Sequence, residues 1–387
     1  KEELKMMNEI RNLLIKRYGM AIILTFLIVK IITFSFSYLI HEAVFLFTPD
    51  TSAYEKYISY YEGPYNDEKG EKIESLISSS KAAAQMIGTA YVELKAGNIS
   101  YDEFCMVADK YSTLAAENEK GMSSLNEQLE YVSDNPEHRY LLDTRGWICL
   151  LKNDSLDLLL ILMILMLSAP TFTTEYSTDM YQLLLTSKLG RKCLARRKCI
   201  CTICICGLMS LIFSAAEFLT VAVKMGLPCP TAPLQSIQSL SDSPYNISLL
   251  SAFVFIALCK AVGSMLLSSI VMLLSTAVKR ILPVVSIGIT AVLIPYIIIP
   301  NRFDQMYVLP LGILNPSGYL RSNETSIIDE NVITIFKGVP IFMTMSLLIL
   351  SLLLIILFCT CASKLYVTGN IFGRRKKQCE KYSVSLP

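Results

Sequence analysis

The sequence predicts an all-α integral membrane protein. It has six transmembrane helices, an N-terminal interfacial helix, and a mostly helical extracytoplasmic domain inserted between spans one and two. Three observations carry that expectation. Of the 387 residues, 53% are hydrophobic and only 18% are charged, and the mean hydropathy is +0.47. The apolar residues gather into runs of roughly 18 or more, the length a helix needs to cross a bilayer core. Basic residues gather beside those runs on one side only.

The runs are Tyr18–Ile40, Ser155–Phe172, Cys199–Val223, Leu249–Val278, Ile281–Ile299 and Val339–Leu365. Lipid offers no water to backbone amides and carbonyls, so each run is expected to be a helix. The second is the shortest, because Asp154 and Asp157 crowd its outer end. The first is too long for a cleavable signal peptide, carries Lys30 and lacks a small-residue cleavage site, so it is expected to stay as a signal-anchor.

Charge sets the orientation. Lys1, Lys5, Arg11, Lys16 and Arg17 precede the first span, and Lys188, Arg191, Lys192, Arg196, Arg197 and Lys198 follow the second. Lys279 and Arg280 follow the fourth, and Lys364, Arg374, Arg375, Lys376, Lys377 and Lys381 end or follow the sixth. These are 19 of the 35 basic residues, against six acidic ones on the same side. The positive-inside rule therefore places both termini in the cytoplasm of a multi-pass cell-membrane protein, expected in a bacterial plasma membrane.

Residues 1–17 set Leu4, Met7, Ile10, Leu13 and Leu14 at helical spacing among Lys and Glu, as in an amphipathic helix lying in the interface. Residues 41–154 form the extracytoplasmic domain. Within 42–153 lie 19 acidic and 10 basic residues, in periodic segments broken by Gly63-Pro64, Gly97-Asn98 and Asn135-Pro136. Its Tyr54, Tyr57, Tyr60, Tyr61 and Tyr65 are expected to pack against membrane-proximal helices. Residues 155–365 hold spans two to six, and 366–387 form a basic cytoplasmic tail. Residues 301–338 are long for a connection and carry Pro310, Pro316 and Gly318 in an apolar setting, so short broken helices re-entering the outer leaflet are expected there.

Enzymatic chemistry finds little support. The two histidines, His41 and His138, both fall outside the spans, leaving no intramembrane His pair and no Ser-His dyad. No Gly-x-x-x-x-Gly-Lys-Ser/Thr loop occurs, so nucleotide is not bound by that route. The run Cys199-Ile-Cys-Thr-Ile-Cys-Ile-Cys206 enters an apolar helix, where its four sulfurs do not share a face, and no metal site is expected. Cys105 and Cys149 fall in the extracytoplasmic domain, where a disulfide between them can persist. Gly263-Ser264 reads as a close-packing site between helices.

Lys30, Glu217 and Lys260 lie within spans, and charges at such depth are usually paired. Counted from the cytoplasmic ends, Glu217 and Lys260 fall at roughly 25–28 Å and Lys30 at about 20 Å. A Glu217–Lys260 pair bracing the third and fourth spans is therefore expected.

One segment points toward function. Residues 174–190 are expected to form a cytoplasmic helix with Glu175 at its positive N-terminal end and Lys188 near its C-terminus, as the macrodipole favours. Tyr176, Met180, Leu183 and Leu184 make one apolar face suited to a partner's groove. This segment resembles the first cytoplasmic loop of type-2 ATP-binding-cassette (ABC-2) exporter permeases. Glu175, Met180, Leu184, Leu185, Thr186, Ser187, Arg191 and Lys198 stand at the matching positions. Asp179 stands near the place of the usual Gly, and Lys188 replaces a frequent Pro.

The resemblance implies a transmembrane permease subunit without catalytic residues, pairing with a second permease, identical or related, and with two cytoplasmic ATPase subunits. ATP and Mg would be held by those subunits and no cofactor by this chain. Tyr176, Met180, Leu183, Leu184, Lys188 and Arg191, with Glu175, would form the ATPase-coupling element. Membrane lipid surrounds such a protein, and nucleic acid has no part in it. A lipid-like, peptide or amphipathic substrate is implied. The alternative is a non-transporting membrane sensor or scaffold whose outer domain binds a ligand or partner.

Overall fold

The computed structural model describes residues 23–34, 52–117, 121–151, 157–177, 190–241, 243, 245–298, 310–320 and 340–368. The interfacial segment 1–17, the tail beyond Thr368 and residues 178–189 lie outside the described residues. The fold is mostly helical. Among the described residues four helices are long and apolar enough to cross a membrane: Leu158–Ser177, Cys193–Lys224, Leu249–Val278 and Thr344–Thr368. Two shorter apolar helices, Ile23–Phe34 and Ile281–Ile294, accompany them.

The chain divides into two compact units. The first takes in residues 1–32, 154–218 and 254–387. It contains most of α1 (Ile23–Phe34), α7 (Leu158–Ser168), α8 (Pro170–Ser177) and the greater parts of α9 (Gly190–Lys224) and α10 (Leu249–Val278). It also contains α11 (Ile281–Ile298) and α12 (Pro340–Thr368). Its core joins Leu160, Ile164 and Leu165 of α7 to Ile205, Met209 and Phe213 of α9, Leu267 and Val271 of α10, and Val284 and Val292 of α11. Ile23, Phe26 and Leu27 of α1 pack against that cluster. On the other faces, Leu208, Leu211 and Ile212 of α9 and Ile349, Leu353 and Ile356 of α12 are exposed.

Pro170 has no amide hydrogen to continue the ladder of α7. The helix nevertheless resumes at once as α8, where Thr173 and Thr174 return their hydroxyls to the carbonyls of Ala169 and Pro170. Two 3₁₀ turns, Pro310–Leu314 and Pro316–Leu320, occupy the middle of the 301–338 connection. They are packed in protein: Ile313, Leu314, Tyr319 and Leu320 are buried, and Ile313 and Tyr319 cluster with Cys259 of α10 and Leu347 of α12. Gly263 of α10 permits this approach, since a Cβ there would stand 2.9 Å from the Leu314 nitrogen. Gly263 is thus a close-packing site, but its neighbour is the 3₁₀ segment rather than a helix.

The second unit holds residues 33–153 and 219–253. It contains α2 (Ser52–Tyr61), α3 (Asp67–Ala96), α4 (Tyr101–Glu117), α5 (Ser123–Ser133) and α6 (Arg145–Leu151). A two-residue antiparallel pairing sets Gly63 against Leu141 and Pro64 against Tyr140. Helices α3 and α4 form a hairpin. Gly97 closes α3 in the left-handed conformation (φ +76°), and the Gly97 and Asn98 amides satisfy the carbonyls of Leu94 and Glu93. Ser100 and Glu103 then start α4 with a reciprocal capping box. Four of the five clustered tyrosines pack into this unit's own core. Tyr54 is buried beside Ile58, Ile73, Leu125 and Leu129, with Tyr57, Tyr61 and Tyr65 around it, while Tyr60 is 80% exposed. Burial and the Asp143 carboxylate hold the Tyr54 phenol well above its usual range.

The connection between α9 and α10, residues 225–248, belongs to this unit. Trp147 is fully buried and donates its indole N–H to the Pro228 carbonyl at 2.8 Å. The Tyr131 hydroxyl donates to the Gln235 carbonyl at 2.5 Å, and the Tyr140 amide donates to Ser236 Oγ at 3.0 Å. Trp147→Ala is expected to destabilise the protein by about 3–5 kcal/mol and to speed amide exchange across residues 225–233. Hydrogen-exchange mass spectrometry that found those amides as protected as in wild type would detach Trp147 from this role.

Candidate functional site

Two polar clusters and the seam between them stand out in the first unit. In the first cluster, Lys30 of α1, Asp157 at the N-cap of α7, Glu217 of α9 and Lys260 of α10 meet in an otherwise apolar bundle. Lys30 Nζ lies 2.6 Å from Asp157 Oδ2 and 2.6 Å from Glu217 Oε1. The other Glu217 oxygen accepts from Lys260 Nζ at 3.2 Å. Asp157 also caps α7 by accepting from the Leu160 amide at 3.1 Å. The four charges alternate and sum to zero. Each acid has at least one ammonium partner, as removal from water demands.

The structure thus brings Glu217 and Lys260 together and adds two members. Lys30 joins them because α1 packs beside α7 and α9. Asp157, which in the sequence only seemed to crowd the end of a span, supplies the second negative charge.

The second cluster lies nineteen residues earlier on α9, roughly 28 Å away along the helix axis. Glu175 of α8 accepts from Lys198 Nζ of α9 and from the Tyr366 hydroxyl of α12. Glu175 is only 8% exposed. Tyr366 is fully buried, with its ring 5.0 Å from that of Phe172 and 6.4 Å from that of Tyr176. Lys279, held in the left-handed conformation (φ 60°) between α10 and α11, sets its ammonium 5.3 Å above the Tyr176 ring. One carboxylate therefore joins the ends of three helices.

This geometry corrects the expected coupling helix. Glu175 does not open a new helix at residue 174. It lies in the last turns of α8, a continuation of the apolar helix α7, so its charge cannot be placed there by an N-terminal dipole. The two hydrogen bonds hold it instead, and it faces inward rather than toward a partner's groove. Tyr176 is likewise half-buried against Tyr366. Arg191 lies in the first turn of α9, which starts at Gly190 and so carries the basic residues up to Lys198 on the helix itself. Met180, Leu183, Leu184 and Lys188 lie outside the described residues.

Between the clusters runs a seam of small polar side chains that sequence reading missed. On α9 it passes from Glu217 through Ser214, Ser210, Cys206 and Thr202, steps of three and four residues that keep to one face. All five are buried. Facing them, Ser168 donates to Ser268 at 2.9 Å and lies 3.5 Å from the Cys206 sulfur, and Thr171 pairs with Thr202 at 3.4 Å. Ser264 returns its hydroxyl to the Lys260 carbonyl at 2.8 Å. Ser210 Oγ is buried with no hydrogen-bond partner among the described residues. The spacing was the available signal, masked by the apolar average of the run.

The cysteines fall in several places. Cys199, Cys201 and Cys206 are buried while Cys204 is exposed, so the four do not converge. Cys105 on α4 and Cys149 on α6 are both free, half-buried thiols, and the structure does not bring them into a disulfide. Burial pushes the Cys149 thiol up.

No protein family, characterised protein or solved structure that was compared with this chain matches it.

Removing one partner of a buried charge network leaves the others unpaired, which typically costs 3–5 kcal/mol. Glu217→Gln is expected to lower stability by about that much, because two ammoniums share this carboxylate. Adding Lys260→Met should return about 0.5–3 kcal/mol of it. Asp157→Asn should cost less than Glu217→Gln, since Lys30 keeps Glu217. Thermal midpoints in lipid nanodiscs measure all three, and strictly additive losses would show that Glu217 and Lys260 do not act together.

Proposed function

We propose that this chain is the transmembrane permease subunit of an ATP-binding-cassette exporter, driven by a separate ATPase that docks on the segment after α8. In this reading α1 and α11 complete a bundle of six spans with both termini in the cytoplasm, and the second unit lies outside. A second permease chain, identical or related, forms the other half of the path. The cargo is lipid-like, peptide or otherwise amphipathic, in keeping with a bundle whose charges are already paired to one another.

The observation that carries the reading is the Glu175 cluster. In the sequence, residues 178–189 join α8 to α9, and Glu175 and Lys198 tie those two helices to each other and to Tyr366 of α12. A load on the segment is therefore delivered to three helices through one carboxylate. Hydrogen bonds to a charged group are worth roughly 1.5–3 kcal/mol each, a size that nucleotide binding and hydrolysis can overcome. Breaking and remaking them lets α12 move against α8 and α9.

Purification in mild detergent from the native host is expected to bring down a nucleotide-hydrolysing subunit in equal amount. Glu175→Gln, which keeps shape and removes charge, should leave that subunit bound while transport falls about tenfold, near 1.4 kcal/mol. Tyr366→Phe, which loses one of the two bonds, should give a smaller loss. If no ATPase accompanies the chain, or if Glu175→Gln transports normally, this reading is wrong.

A further inference from the structure

We infer that the second unit holds a binding site for the carboxyl end of a peptide, built from Gln128, Arg139, Gln235 and Ser243. Buried polar atoms in folded proteins almost always have a partner, and one that lacks it points to a bound water, ion or ligand. Six side-chain atoms are buried with no hydrogen-bond partner among the described residues. Four of the six belong to these residues: Gln128 Nε2, Arg139 Nε, Gln235 Oε1 and Ser243 Oγ.

Hydrogen bonds tie the four to one tyrosine. Arg139 Nη1 donates to the Tyr131 carbonyl at 2.6 Å, and its guanidinium lies 4.0 Å from the centre of the Tyr131 ring. The Tyr131 hydroxyl donates to the Gln235 carbonyl at 2.5 Å. Gln235 Nε2 in turn donates to the carbonyls of Ser243 at 3.1 Å and Tyr245 at 2.9 Å. Gln128 stands three residues before Tyr131 on α5, on the same face of that helix.

The unused atoms specify the ligand. Arg139 gives Nη1 to the end of α5, which leaves the Nε edge of its fork, an edge that suits a planar carboxylate. The ion pairs of this unit among the described residues involve Lys56, Lys72 and Arg145 instead. Gln128 Nε2 adds a neutral donor. Gln235 has the opposite need: its amide nitrogen is committed to two carbonyls, so its orientation is fixed and Oε1 can only accept. Ser243, 6% exposed, can donate or accept. Two donors, one of them cationic, beside a fixed acceptor match a carboxylate and the N–H on its own α-carbon. An inorganic anion would satisfy Arg139 and leave Gln235 Oε1 unpaired.

Gln128, Arg139 and Gln235 are half-buried as whole residues, so the covered atoms lie just below the surface of the unit, within reach of a chain end. The site belongs wholly to the second unit and rests on no reading of what the first unit does.

The full chain in mild detergent would be incubated with three probes, and the retained molecules identified by ultrafiltration and mass spectrometry. The first is an acetyl-Ala-Ala-X library with a free carboxylate, X being each amino acid in turn. The second is that library as C-terminal amides, and the third is the free amino acids. Members of the acid library are expected to be retained and their amides lost. Arg139→Lys keeps the charge without the Nε edge and should weaken the best member about tenfold. Gln128→Met removes an amide whose nitrogen holds nothing in the fold; it should cost about threefold in affinity and leave the melting temperature unchanged. Free amino acids retained as tightly as the peptides would overturn the peptide and leave an amino-acid site. Equal retention of acids and amides, an unchanged affinity in either variant, or no retention of any probe, as for a site that holds ordered water only, would overturn the proposal.

Discussion

The first unit depends on a single constraint: a carboxylate withdrawn from water must keep its counter-charges. Glu217 satisfies it with Lys30 on one oxygen and Lys260 on the other, while Asp157 completes the neutral set. The penalty for stranding one such ion is several kcal/mol, set against a total stability of only about 5–15 kcal/mol for a typical protein. The apolar packing of Leu165, Phe213 and Val271 is large in sum but tolerant of small sliding. The charges are not tolerant. A displacement that fits one side chain to a new groove is cheap, whereas one that parts Glu217 from Lys30 is not. The register among α1, α7, α9 and α10 is therefore fixed by electrostatics and only filled in by hydrocarbon.

The second cluster differs in what it can do. Asp157 and Glu175 lie eighteen residues apart on the α7–α8 run, roughly 27 Å, and Glu217 and Lys198 give nearly the same spacing on α9. The two clusters thus bracket a length close to that of a bilayer's hydrocarbon core. The first closes on itself with no net charge. The second gathers Glu175 with Lys198 and sits beside Lys279, with Lys198 one-fifth exposed. A partly wet cluster can exchange partners at lower cost, because water stands in for a lost contact. Between them the Ser168–Ser268 and Thr171–Thr202 contacts supply neutral hydrogen bonds, each worth about 1 kcal/mol. The seam aligns the helices without locking them.

Much of this was legible in the sequence, and its failures share a cause. The helical character, the long apolar runs and the pairing of Glu217 with Lys260 follow from composition, length and depth alone. Lys30 and Asp157 were visible as residues but not as partners, since helical rise gives depth and not azimuth. Tyr366 was invisible: a tyrosine at the end of an apolar run is common, and only the fold brings it to Glu175 across 191 residues. Residues 225–248 carried no sequence signal of their role for a similar reason. Their role hangs on Trp147 and Tyr131, whose backbone acceptors leave no trace in residue type. Glu175 was read as the start of a helix because it follows the end of the second apolar run at Phe172, yet α8 carries the helix on from Pro170 to Ser177.

These points converge on α12. Its apolar stretch is 22% buried, against 56–61% in the other three helices long and apolar enough to cross a membrane. Packing therefore holds it least, and a few directional contacts hold it most. Among the described residues they include the Tyr366 bond to Glu175 and the seat of Leu347 against Ile313 and Tyr319. A helix retained by many dispersed methyl contacts resists motion in proportion to the surface it would expose. One retained by two or three polar contacts moves when those change partner and stays when they do not. The Tyr366–Glu175 contact is the one of these that a change of charge addresses. If any helix of the first unit moves while the rest keep register, the balance of forces selects α12.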